Sequence, residues 1–189
     1  MIIGTHNSMT YLEPKKWWFK LCPIFWRCQK KTIQEQWDAG VRCFDLRITF
    51  EKDGTPVFAH GIVKLKGDVY KTINEIDSLV GKRIVAFNNY AVYVRIVCED
   101  LTKDESIAEN FNRLCLELLK TDYIVPFEGR RKGDWKLLYS FAYKPKLNQF
   151  VGSMAPDARW YEKLMPWFYA KRMNKRNEAI ENITLYDFI

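Results

Sequence analysis

The chain has 189 residues, with 30 Lys and Arg against 23 Asp and Glu, so its formal net charge is +7 with both histidines neutral. Hydrophobic residues make up 48% and aromatics 15%, enough for a packed core and too much for a disordered tail. The length fits a single domain over 1–189, since domains commonly run about 100–200 residues. No run reaches the roughly 18 uninterrupted apolar residues of a spanning helix, and the start lacks the basic residues and apolar stretch of a secretory signal. Cys22, Cys28, Cys43, Cys98 and Cys115 are odd in number and irregular in spacing, which disfavours a disulfide framework. The expectation is a chain with reduced thiols in the cytoplasm, with secretion left open.

Ile2 to Gly4 reads as a minimal first strand ending at Thr5-His6-Asn7-Ser8. Residues 15–31 then hold six basic residues, five aromatics and no acid, a composition that points to a phosphate-bearing partner. Two readings stay open for Trp17, Trp18, Phe19, Phe25 and Trp26. In one they lie at a lipid interface while the lysines meet anionic head groups, each basic residue contributing about 1 kcal/mol. In the other they pack on the body of the fold and the lysines form a solvated rim. Nucleic acid is the lesser expectation, because the cluster is bulky and apolar rather than spread along a charged groove.

Thr32-x-x-Glu35 is a capping-box pattern that predicts a helix over 32–39, closed by Gly40. Val41 to Ile48 is a strand by its branched and aromatic content, Asp53-Gly54 is a turn, and Thr55 to Ala59 is another strand. Apolar spacing predicts a helix over 68–80, and residues 92–98 read as a strand. Thr102-x-x-Glu105 and the stripe Ile107, Phe111, Leu114, Cys115, Leu118 and Leu119 predict a helix over 103–120. Trp135 to Ala142, Gln149 to Gly152 and Ile183 to Tyr186 are further strands, and Pro166 divides an aromatic helical stretch at 157–177. Seven or eight strands alternating with helices predict an α/β fold, a distorted or trimmed TIM (β/α) barrel, although about 250 residues is usual for a complete one.

The reactive side chains fall at strand ends: His6, then Asp45 and Arg47, then His60, then Glu99 and Asp100, and finally Asp187. In a parallel barrel these ends open onto one face. Two imidazoles and a guanidinium there make a kit for phosphodiester cleavage: one ring takes a proton, the other gives one, and the arginine binds phosphate oxygens.

The ordered set Gly4-Thr5-His6-Asn7-Ser8-Met9-Thr10, Gln36-x-x-x-Gly40-Val41-Arg42-x-Phe44-Asp45-Leu46-Arg47 and His60-Gly61, with Asn182 to Phe188 at the end, resembles the X-domain of phosphatidylinositol-specific phospholipase C. That family has a distorted TIM barrel. The resemblance implies that His6 is the general base acting on the inositol 2-hydroxyl and His60 the general acid toward the diacylglycerol oxygen. It implies that Asp187 holds the His6 ring, Asp45 belongs to the polar shell and Arg47 contacts phosphate. Arginine at 47 is the mark of the bacterial, metal-independent members, so no cofactor is expected. Calcium-using members place ligands where Asn7, Asp45 and Glu99 stand, and Asn7 and Glu99 otherwise read as substrate contacts. Bacterial members have Asp at the Asn7 position, an acid that helps position their general acid. The family's inositol-contacting arginine falls within 137–141, where this chain has none, and the lysine expected near Cys98 is absent.

No G-x-S-x-G, paired-cysteine zinc spacing or phosphate-binding glycine pattern occurs. The expected activity is therefore a phospholipase C-type phosphodiesterase working peripherally at an anionic membrane surface. The alternatives are a metal-dependent glycerophosphodiester-type hydrolase and a lipid-binding barrel that has lost turnover.

Overall fold

The computed structural model describes residues 2–81, 91–100, 105–132, 136–150, 159, 172 and 183–187, with 148–150 as backbone only. Its strands are β1 (Ile2–Thr5), β2 (Cys43–Phe50), β3 (Pro56–His60), β4 (Val63–Lys64), β5 (Val92–Cys98), β6 (Ile124–Arg131), β7 (Leu147–Phe150) and β8 (Ile183–Tyr186). Its α-helices are α1 (Ile33–Asp38), α2 (Val69–Gly81) and α3 (Glu105–Leu118). Six strands run parallel in the order β7-β8-β1-β2-β5-β6. Among the described residues β6 and β7 share no pairing, so the fold is a mixed α/β sheet with few helices and no evident barrel closure.

The helices form where capping and periodicity place them. Thr32 accepts from the Glu35 amide and its own amide bonds back to the Glu35 carboxylate, which closes both halves of the capping box on α1. Gly40 ends that turn at φ +96°, a conformation that costs glycine little. Helix α2 buries Val69, Ile73, Ile76, Leu79 and Val80, and α3 buries Ile107, Phe111, Leu114, Cys115 and Leu118 against the sheet. Leu119, expected in that stripe, is exposed instead.

Three expectations change. The strand after Asp53-Gly54 does not join the parallel run; a turn with Gly54 at φ +82° leaves no room for a crossover, so β3 folds back antiparallel on the end of β2. Strand β6 was masked in the sequence by Pro126 and Gly129, both disfavoured in strand interiors. Among the described strands it pairs with β5 alone, an edge position that tolerates proline, and its register shifts between Ile96 and Val97 where Gly129 turns at φ +67°. Of the strand expected over Trp135 to Ala142, Trp135 lies outside the described residues and 136–142 hold only an isolated bridge, Leu137 with Arg130. The aromatic stretch at 157–177, apart from 159 and 172, and the Thr102 cap lie outside the described residues.

Gly4 sits where three strands crowd together. A Cβ there would lie 2.5 Å from Leu185 Cδ2 and 2.9 Å from Cys43 Cβ. Gly4→Ala is expected to lower stability by about 1–3 kcal/mol through overpacking, read as a lower urea midpoint; an unchanged midpoint would show that β1 has room to shift.

A buried cluster at the strand ends

Strand register assembles the site. Thr5 pairs with Phe44 on one side and with Tyr186 on the other, so the next residues of β1, β2 and β8 are His6, Asp45 and Asp187. Asp45 pairs with Arg95 and Arg47 with Val97, which brings Glu99 beside the end of β2, its amide donating to the Ile48 carbonyl at 2.7 Å. The β3 hairpin runs back along β2 and delivers His60 to the same place.

The Thr5-His6-Asn7-Ser8-Met9-Thr10 motif is a scaffold of buried hydrogen bonds. The Ser8 amide donates to the Asp45 carbonyl at 2.9 Å, and the Ser8 hydroxyl accepts from the Asp45 amide at 2.8 Å. Gln36 ties this turn to α1 by accepting from Thr5 Oγ1 at 2.7 Å and donating to the Ser8 carbonyl at 2.9 Å. Thr10 Oγ1 accepts from the amides of Cys28 and Gln29, and Gln29 Nε2 donates to the carbonyls of His6 and Tyr186.

His6 is held at both nitrogens. Its Nδ1 lies 2.8 Å from Asp187 Oδ1 and its Nε2 lies 2.7 Å from Arg47 NH2. A guanidinium only donates, so Nε2 carries the lone pair and Nδ1–H donates to Asp187. Arg47 also donates from Nε to Asp45 at 3.0 Å and from NH1 to Glu99 at 2.7 Å. Burial alone disfavours the Arg47 charge, but Asp45 and Glu99 hold its pKa above the ordinary value. Burial likewise raises the Asp45 and Glu99 carboxyls; Arg47 with Arg95, and Arg47 with Lys132, outweigh it and hold both below their ordinary values.

His60 is half-buried, its ring 6.4 Å from that of His6 and at 89° to it. Its Nδ1 is 2.5 Å from the Trp26 carbonyl, an acceptor only, so Nδ1 carries the proton and Nε2 the lone pair. Burial, with the neighbouring His6 and Arg47, lowers the His60 pKa from 6.5 to about 4 despite that carbonyl. Asn7 is buried at φ +49°, its amide donating to Asp45, and its Nδ2 has no partner among the described residues.

His6, His60, Asp45, Arg47, Glu99 and Asp187 thus converge, as their places at strand ends predict. The acidic members of the suggested calcium set do not offer an open oxygen shell. Asp45 Oδ2 takes Arg47 and the Asn7 amide, while Glu99 takes Arg47, Lys132 Nζ at 2.7 Å and the Gly61 amide at 2.9 Å. This donor set fits a guanidinium, not a divalent cation.

Trp26, expected at a membrane interface, is 3% exposed and corrects that expectation; its indole donates to the Phe19 carbonyl at 2.9 Å. Phe19 is half-buried on the core, whereas Trp17 at 67% and Trp18 at 48% are exposed.

Sequence reasoning missed Arg95, Glu128, Lys132, Cys28 and Gln29. Arg95 donates to both Glu128 oxygens, at 2.6 and 2.9 Å, and approaches Asp45 Oδ1 at 3.4 Å. Two-residue alternation back from Glu99 along β5 would have found it. Glu128 stands at φ +79° beside the β6 register shift, which no pattern announces. It also walls a cavity of about 340 Å³ shared with Arg130, Ser140, Phe141, Tyr143 and Lys144, so cations from other positions line the region where the expected arginine is missing. Cys28 Sγ lies 3.9 Å from His60 Nδ1, and burial pushes its thiol well above its ordinary pKa, which removes it as a nucleophile.

No model of a known protein family matches the chain, and no curated protein matches it. Solved structures do. The phosphatidylinositol-specific phospholipase C of Listeria monocytogenes is 16% identical, with a TM-score of 0.58 over 99% of this chain and 87% of that one. A double mutant of the Staphylococcus aureus enzyme is 15% identical, with a TM-score of 0.61 over 99% of this chain and 84% of that one. At this identity the likeness is one of fold, and the fold is the one that the motif set resembles.

The His60 environment has a pH consequence. Between about pH 6.5 and 4 the unfolded chain binds a proton at His60 that the folded chain does not, so stability falls as pH falls through that window. Asp45 and Glu99, held below their ordinary values, add their losses at lower pH. Urea midpoints at pH 7 and 4.5 are expected to differ less in His60→Gln than in the wild type; equal losses would contradict the assignment.

Proposed function

We propose that the protein is a phosphoric diester hydrolase or lyase of the phospholipase C type, cleaving a phosphatidylinositol-like lipid without a metal, and that its open sheet is a trimmed, distorted (β/α) barrel. The observation that carries this reading is the buried chain Asp187–His6–Arg47, with the second imidazole 6.4 Å away by ring centroids. His6 Nε2 holds a lone pair that Arg47 caps. An anionic phosphate draws the guanidinium onto its oxygens and uncaps the base, which then takes the proton of the attacking 2-hydroxyl. Asp187 positions the ring and stabilises the imidazolium that forms. His60 has its free nitrogen at Nε2 and must gain a proton there before it gives one to the leaving oxygen. The negative charge of bound phosphate favours that gain. The unpartnered Asn7 Nδ2 is a donor suited to a substrate oxygen.

His6→Ala and His60→Ala are each expected to lower kcat/KM on phosphatidylinositol vesicles by about 100–10,000-fold, with the wild type releasing cyclic inositol phosphate and keeping its activity in chelator. Activity lost to chelator would favour the metal-dependent hydrolase. One observation favours the second reading, a lipid-binding barrel without turnover: all three guanidinium nitrogens of Arg47 are engaged inside the protein. A wild type that binds these vesicles and cleaves none would establish it.

The membrane reading rests on Trp17, Trp18, Leu21 and Phe25, all exposed, beside Lys16 and Lys20. The same segment supplies the Trp26 carbonyl that orients His60, so a surface engaged there lies one short stretch of chain from the site. Among the described residues no helix is long and apolar enough to cross a membrane. The proposed contact is peripheral. Of these lysines Lys20 pairs with Glu13, and the neighbouring Lys15 pairs with Glu51. Sedimentation with anionic vesicles is expected to weaken with salt and with Trp17→Ala/Trp18→Ala; unchanged binding would assign the contact elsewhere.

A further inference from the structure

His6, Cys28 and Asp187 come from three separate parts of the chain, yet one ligand atom of each lies within 4.8 Å of the other two, and all three residues are buried. The acid–base scheme uses the first and third and has no task for the thiol. Their backbones are fixed independently of one another's side chains. The His6 amide donates to the Tyr186 carbonyl at 2.9 Å, and the Cys28 amide donates to Thr10 Oγ1 at 2.9 Å. Gln29 Nε2 clamps the carbonyls of His6 and Tyr186 together. A nitrogen, a sulfur and a carboxylate oxygen form a donor set for a borderline-soft divalent ion such as zinc, and a poor one for magnesium or calcium.

We propose that these three residues form an inhibitory site for a thiophilic divalent metal, zinc being the type ion. In a tetrahedral shell the ligand atoms would stand about 3.3–3.6 Å apart, given typical Zn–N, Zn–O and Zn–S bonds. The 2.8 Å His6–Asp187 bond therefore opens by about half an ångström, and Cys28 closes on the pair. The thiol proton leaves to solvent and the sulfur binds the metal as thiolate. The imidazole stays neutral: Nδ1 gives its lone pair to the metal, and the proton it carried passes to Nε2. Nothing is oxidised, and one proton is released for each ion bound.

That relocation is what inhibits. Nε2–H now faces Arg47, also a donor, so the two part. Asp45 Oδ2, 4.0 Å from Nε2, becomes the acceptor, giving the carboxylate–histidine–metal arrangement common in protein sites. With its lone pair gone from Nε2, His6 is no longer a base toward substrate. The inference rests on the proposed acid–base role of His6 for its effect on turnover, but not for metal binding itself.

The test uses the full chain carrying Cys22→Ser, because the exposed Cys22 thiol is a competing ligand. Titration with Co²⁺ is expected to give a thiolate-to-cobalt charge-transfer band with one ion bound per chain, displaced by Zn²⁺ and absent in Cys28→Ser. Loss of this ligand should weaken Zn²⁺ binding by more than the about 10–100-fold typical of outer-shell partners. In the vesicle assay Zn²⁺ should inhibit the parent reversibly, with chelator restoring activity, and should spare Cys28→Ser. No band, or a band unchanged in Cys28→Ser, overturns the metal site whether or not the metal-free protein turns over. A Cys28-dependent band in a protein without turnover upholds the metal site and removes the catalytic reading. Should Cys28→Ser fold poorly, Cys28→Ala read by the same cobalt titration decides.

Discussion

Everything at the strand ends turns on where the Arg47 charge goes. Arg47 is 8% exposed and its guanidinium cannot lose its proton, so the fold must surround it with acceptors. It finds three, on Asp45, Glu99 and His6, and each is in turn held by something else. Asp45 also accepts from the Asn7 amide and approaches Arg95, Glu99 accepts from Lys132 and Gly61, and His6 is bonded to Asp187. Buried pairs of this kind are poor devices for stability, because desolvation consumes most of the attraction, while removing one partner costs about 3–5 kcal/mol. A chain that keeps such a network is better explained by what the network positions than by what it stabilises. It fixes the tautomer of one imidazole and holds a cation against its lone pair.

Backbone register does the rest. Parallel pairing sets Thr5 level with Phe44 of β2 and Tyr186 of β8, so His6 falls beside Asp45 and Asp187, and side chains up to 181 positions apart become neighbours, as His6 and Asp187 show. The close approach of β1 to its neighbours demands Gly4, and the left-handed turn beyond it takes Asn7, a residue that tolerates such a conformation. Much of the motif that looks catalytic in the sequence is therefore architecture. Thr5, Ser8, Thr10 and Gln36 build the turn from which His6 projects, and touch no reactive nitrogen.

That division explains what could be read in advance. His6, Arg47, His60, Glu99 and Asp187 were legible because short motifs carry them and strand ends gather them. The capping box of α1 and the apolar stripes of α2 and α3 were legible because both are local rules. Strand β6 was not, since Pro126 and Gly129 argue against it and only its edge position and irregular register admit them. With β6 hidden, Glu128 and Lys132 had no reason to be noticed, and the 95–128 ion pair was invisible. Composition also failed to divide the aromatic cluster at 15–31. Trp26 and Trp17 are the same residue type in the same basic setting, and only tertiary packing buries one and exposes the other.

On the proposed reading, the support given to His60 ties substrate binding to a proton. Position 7 is a neutral Asn, and the His60 ring leans on the neutral Trp26 carbonyl. A carbonyl fixes a tautomer as well as a carboxylate does but adds no charge, so burial carries the His60 pKa down to about 4 and the ring rests neutral. Among the described residues the linked network then holds three cations, Arg47, Arg95 and Lys132, against four carboxylates, Asp45, Glu99, Glu128 and Asp187. With both rings neutral that set is one charge negative before any phosphate arrives. On the proposed reading a phosphodiester adds another negative charge there, and His60 Nε2 is a site able to offset it by taking a proton. On the proposed reading the anion and a proton enter together, and the proton that makes binding tolerable is the one the leaving group needs.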